Sequence, residues 1–193
     1  MKALTKYAVL MLAALPATAE AHTGAGLHIH GLAAGLWHPF TGLDHILAMT
    51  AVGFWAANLG GRARYIVPLA FMAVMALGAG LGIAGFPLPM VETLIAASVT
   101  ALGLLVAFDV KVATPVAATI VGICALFHGH AHGSELPLMT NASVYVLGFL
   151  AATAILHGVG IGFGMIRFSR MGNHLSRIAG GFITLAGVAL LAG

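Results

Sequence analysis

The chain has 193 residues, 61% of them hydrophobic and 7% charged, with a formal net charge of +3. Its mean hydropathy is +1.06. A soluble domain carries roughly 25% charged residues, so a water-soluble globular fold is excluded and an all-α, polytopic membrane protein is expected. The small cationic excess forms no Lys/Arg cluster, which excludes a nucleic-acid binder.

The N-terminus reads as a cleavable signal peptide over residues 1–21. Lys2 and Lys6 form a basic start, Ala8 to Leu15 a short apolar core, and Pro16 ends it. Ala19-Glu20-Ala21 fits the A-x-A cleavage pattern, and so does Ala17-Thr18-Ala19. Cleavage after Ala21 leaves His22 as a mature N-terminus outside the cytoplasm, followed by His28 and His30. Two readings of these histidines stand: a capture arm for a metal ion, or external side chains without a role.

Residues 22–193 are expected to form one domain, a six-helix transmembrane bundle. The spans fall at about 38–59, 65–84, 90–108, 112–132, 142–166 and 174–192, with short breaks that make consecutive helices antiparallel neighbours. With an external N-terminus, Arg62, Arg64, Lys111, Arg167, Arg170 and Arg177 all fall on the cytoplasmic side. That obeys the positive-inside rule, and a shift of the helix count by one would break it. Glycines recur in the second, fifth and sixth spans, where they favour close helix packing over hinges. Cys124 is single and lies in an apolar run, so no intrachain disulfide is possible.

Two polar stretches interrupt the apolar pattern. One is His38-Pro39-Phe40-Thr41-Gly42-Leu43-Asp44-His45, and the other is Phe127-His128-Gly129-His130-Ala131-His132-Gly133-Ser134-Glu135. An ionisable group at mid-bilayer costs about 2.5–3.5 kcal/mol on insertion scales, so such groups mark function. The topology puts both stretches at the extracytoplasmic end, level with Glu92 at the start of the third span. On a helical wheel His128, His132 and Glu135 share an arc of about 60°, while His130 points elsewhere. Two imidazoles and a carboxylate on one face suit Ni, Cu, Zn or Fe. Pro39 disfavours helix at His38, so His38 is expected to mark the start of the first span, with Gly42 loosening the next turn. Asp44 supplies negative charge beside His45. His157 reads equally as a buried neutral histidine or a ligand. Asp109 beside Lys111 reads as a solvated loop charge, and the methionines read as packing.

With these residues in view, the chain resembles the HupE/UreJ family of small membrane proteins, regarded as nickel or cobalt permeases for hydrogenase and urease maturation. The family pattern H-P-x-x-G-x-D-H is met by His38, Pro39, Gly42, Asp44 and His45. The pattern F-H-G-x-A-H-G-x-E is met by Phe127, His128, Gly129, Ala131, His132, Gly133 and Glu135, and P-x-V-E by Pro89, Val91 and Glu92. A family aromatic in the second span corresponds to Phe71, for which packing is the plain alternative.

The reading is therefore a non-enzymatic permease of a bacterial-type inner membrane with a periplasmic N-terminus. It takes up Ni²⁺, with Co²⁺ or Zn²⁺ as alternatives that the ligand types do not separate. The metal residues are His38, Asp44, His45, Glu92, His128, His132 and Glu135, with His22, His28, His30, His130 and His157 as secondary candidates and Phe71 on the path. An intramembrane zinc-type metalloenzyme and a metal-binding sensor or storage protein are the competing readings. Below the two motifs little polar chemistry is visible in the sequence, and no route to the cytoplasm can be drawn from it.

Overall fold

The computed structural model describes residues 30–137, 140–166 and 170–193; the side chains of residues 30 and 170–173 lie outside that description. The expected signal peptide, His22 and His28 fall outside the described residues, as does the side chain of His30. The described residues are all-helical, with seven helices: α1 His30–Thr41, α2 Leu43–Leu59, α3 Ala63–Ile83, α4 Val91–Ala107, α5 Thr114–Ser134, α6 Ala142–Met165 and α7 Arg170–Ala192. Among the described residues, four segments are long and apolar enough to cross a membrane: α3, α5, α6 and His174–Ala192 of α7. α4 is apolar but shorter.

Helices α3 to α7 nearly coincide with the second to sixth expected spans. The first expected span does not survive as one helix. It is two, and His38 lies inside α1 near its end rather than at a helix start. Proline removes one backbone donor and disfavours helix at the residue before it, but tertiary packing overrides that preference. Gly35, one turn before Pro39, lies so close to α6 that a β-carbon there would strike the backbone of Tyr145. The Thr41 hydroxyl donates to the His38 carbonyl at 2.7 Å, satisfying an acceptor at the end of α1. The break falls at Gly42, whose extended backbone (φ −96°, ψ 120°) separates α1 from α2.

α2 is the axis of the bundle and touches each of the other six helices. Its Trp55, Val52, Ala48 and Met49 are fully buried, which explains why its apolar residues follow no single face. Around it α3 pairs with α5, α4 with α7, and α6 with both α1 and α2. Outward faces carry large exposed apolar side chains, among them Leu77, Leu147, Ile178 and Leu185, as a lipid-facing surface requires.

Glycine sets the helix separations. β-Carbons at Gly129 and Gly133 of α5 would strike the Met75 and Ala79 carbonyls of α3, and one at Gly160 of α6 would strike the Thr50 carbonyl of α2. By contrast, Gly158 and Gly162 face open space. The packing reading of the α6 glycines thus holds for alternate members of the run.

At one end of the bundle the Trp55 indole donates to the Val110 carbonyl at 2.8 Å. Lys111 pairs with Asp109 at 2.9 Å and donates to the Asn58 carbonyl, and the Asn58 amide meets Ser176 at 3.4 Å. Asp109 is therefore part of a brace that ties the α4–α5 loop to α2 and not merely a solvated charge. Arg62, Arg64 and Arg177 belong to this cationic end.

Gly160→Ala should lower the unfolding temperature of the detergent-purified protein, by an amount equivalent to roughly 1–3 kcal/mol of overpacking. Gly162→Ala should leave it unchanged, and a thermal melt of the two variants side by side checks the contrast.

Candidate metal centre

The other end of the bundle gathers the histidines. α1 brings His38, the first turn of α2 brings Asp44 and His45, the last turns of α5 bring His128 and His132, and the residue that caps α5 is Glu135. The glycines of α5 explain its orientation. With Gly129 and Gly133 against α3, His128 and His132 turn toward the axis. His130 turns the other way, its Nε2 standing 2.7 Å from the Phe86 carbonyl and its Nδ1 3.4 Å from the Ser134 hydroxyl. The wheel separation of His130 from its neighbours is borne out.

Ring centroids lie 4.5 Å apart for His45 and His132, 4.7 Å for His38 and His132, and 5.2 Å for His45 and His128. One nitrogen of each outer ring is fixed from behind. His45 Nδ1 meets the Asp44 carboxylate at 2.9 Å, His128 Nδ1 donates to the Cys124 carbonyl at 3.0 Å, and His38 Nε2 meets Glu135 at 3.0 Å. The bond from His38 holds the Glu135 carboxyl below its ordinary value, against partial burial, which raises it. What remains is a set of buried nitrogens without a partner in the protein: His45 Nε2, His128 Nε2 and both nitrogens of His132. A carboxylate or carbonyl behind an imidazole fixes its tautomer and presents the other nitrogen as a lone pair, the arrangement of metal-ligating histidines.

Gly42 has a specific place here. Its φ is ordinary, so conformational freedom is not the reason for glycine. A β-carbon would instead meet Asp44 Oδ1 and His45 Nδ1 at 2.7 and 2.8 Å, so glycine leaves room for that pair.

Glu92 does not join the imidazoles. It is exposed in the first turn of α4, on a cavity of about 260 Å³ that it shares with Asp44, Thr93 and the end of α7 at Leu190, Leu191 and Gly193. Asp44 thus faces both the cavity and His45. Among the described residues, no three histidine, cysteine or carboxylate donors already stand at coordinating distance from a common point.

The structure also supplies residues that sequence reading missed. The Phe149 ring stacks on His132 at 4.7 Å with an interplanar angle of 8°, and the Tyr145 ring lies 6.1 Å from His38 with its hydroxyl buried and unpartnered. Phe71 lies between two histidines, 5.9 Å from His128 and 5.2 Å from His157. Tyr145, Phe149, Thr153 and His157 recur every fourth residue on one face of α6, a signal present in the sequence.

Residues 9–190 match the family model described as HupE / UreJ protein. The chain is 64% identical over 182 residues to Protein HupE of Rhizobium leguminosarum bv. viciae, covering 94% of this chain and 95% of that one. No solved structure matches it.

Asp44→Ala should weaken Ni²⁺ binding about 10–100-fold by freeing the His45 ring, since the loss of such a partner has that effect on other metal sites. Calorimetric titration of the detergent-purified protein checks this, with helix content by circular dichroism expected to be unchanged.

Proposed function

The chain belongs to the HupE/UreJ family, and from that premise we propose that it is an inner-membrane permease importing a divalent transition metal, Ni²⁺ first and Co²⁺ second, for metalloenzymes such as hydrogenase or urease. The signal peptide spans residues 1–21 and the permease domain 22–193, with six crossings and the mature N-terminus in the periplasm. The two ends of the bundle support this orientation, with described cations at one and imidazoles with Asp44, Glu92 and Glu135 at the other.

The observation that carries the reading is the convergence of His45, His128 and His132 with buried nitrogens unclaimed by the protein. Leaving buried polar atoms unpaired costs about 1–3 kcal/mol each, which an arriving ion would offset. Asp44 and Glu92 form the acidic mouth and draw in the hydrated cation. His38 and Glu135 flank the next position, and His45, His128 and His132 replace its water. One ion does not take all seven groups, so Asp44 and the Cys124 carbonyl act behind the ligands by holding the rings.

Purified protein in liposomes should carry radiolabelled Ni²⁺ into the lumen. His132→Ala and Glu135→Ala should each reduce that entry by at least about tenfold while the protein stays in the bilayer. Binding without entry would instead identify a storage or sensor protein.

A further inference from the structure

One turn below the histidine centre lies a second set of donors, drawn from three helices. The Thr153 hydroxyl of α6, bonded to the Phe149 carbonyl at 2.8 Å, stands 3.2 Å from the sulfur of Met49 on α2 and 3.9 Å from that of Met75 on α3. Met49, Met75 and Thr153 are all fully buried. The next turn carries His157, one turn beyond Thr153 on α6, and Phe71, one turn before Met75 on α3. Gly53, one turn beyond Met49 on α2, backs against the His157 carbonyl, so the three helices bring their donors to adjoining levels.

His157 separates a site from simple packing. A histidine kept for structure uses a nitrogen, as His128 does on the Cys124 carbonyl and His130 on the Phe86 carbonyl. His157 is 2% exposed, and neither of its nitrogens has a partner in the protein. Its ring meets Phe71 edge-on at 5.2 Å, and the same Phe71 ring lies 5.9 Å from that of His128. A phenylalanine or leucine would fill the same space without two uncompensated polar atoms.

We propose that Met49, Met75 and His157, with Thr153, form a second, inner binding station for a transition-metal ion, reached from the histidine centre past Phe71. The inference rests on the permease reading. Thioethers and imidazole are soft to borderline ligands, right for a late first-row metal and wrong for Mg²⁺ or Ca²⁺. Every donor here is neutral, so a cation is held less tightly than among the carboxylates above. A transit station requires that, since an ion must leave as readily as it arrives.

The test uses full-length protein and Ni²⁺ alone, with the double variant Met49→Leu/Met75→Leu, a volume-conserving change that keeps the fold. Titration of the wild type should resolve a tight and a weaker class of site, and X-ray absorption at metal excess should show sulfur ligation. The double variant should lose the weaker class and the sulfur signal, keep the tight class, and slow entry into liposomes by at least about tenfold. Cys124→Ala should keep the sulfur signal. Wild-type behaviour of the double variant in binding and entry, or a sulfur signal that disappears with Cys124→Ala, overturns the inner station and leaves the permease standing. Sulfur ligation lost in the double variant, in a wild type that admits no Ni²⁺ to the lumen, keeps the inner site and overturns the permease.

Discussion

The fold turns on one constraint: a polar atom buried in a lipid-embedded bundle has no water to turn to, so it must find a partner in the protein or in a ligand. Most of this chain complies. The Trp55 indole finds the Val110 carbonyl, the Thr41 hydroxyl the His38 carbonyl, and His130 the Phe86 carbonyl. Among the described residues Asn58 Oδ1, Arg64 Nε and the Tyr145 hydroxyl are exceptions, but most of the unpaired buried atoms belong to His45, His128, His132 and His157, on α2, α5 and α6 beside Phe71 and Phe149. Groups that defy the rule together, in one column, are better explained by a shared ligand than by separate failures of packing.

Close packing makes that column possible. Imidazoles reach one another across the axis because their helices approach at glycine: α5 on α3 at Gly129 and Gly133, α6 on α2 at Gly160, α1 on α6 at Gly35 and Gly148. A larger residue at any of these would separate backbones and move donors on opposite helices apart. The glycines of the second motif are thus as much a part of the site as its histidines, although none presents a ligand. Gly42 does the same for a side-chain pair, keeping open the space that Asp44 and His45 occupy together.

Much of this was legible in the sequence, because much of it is local. The orientation of His128, His132 and His130 follows from the period of a single helix, and α3 to α7 follow from apolar length between short breaks. Two features were not local: one was misread and the other was not visible. Pro39 signals a helix boundary by itself, but the packing of α1 on α6 carries the helix through it and moves the break to Gly42. Met49 and Met75 are distant in sequence and share no motif, so their convergence on Thr153 exists only in three dimensions. The four-residue period of Tyr145, Phe149, Thr153 and His157 was visible, but an aromatic stripe at helical spacing looks the same whether it packs a core or lines a path.

The chemical character of the donors changes with depth, and this gradient gives the bundle a direction. At one end stand carboxylates, Asp44 and Glu92 on a shared cavity, with Glu135 paired to His38. Below them are imidazoles held by a carboxylate or a carbonyl, then two thioethers and a hydroxyl, and one turn further the His157 imidazole, held by nothing. A charged partner is most useful where a cation sheds its first waters, because that is where the desolvation cost begins. Deeper in, a charged partner would trap the ion, and neutral donors replace water without holding on. At the far end the Lys111–Asp109 pair, the Asn58 carbonyl and the Trp55 indole brace the loop against α2. The two ends therefore differ in kind: one gathers buried imidazole nitrogens that the protein leaves unpaired, and the other uses an ion pair and hydrogen bonds to hold a loop against α2.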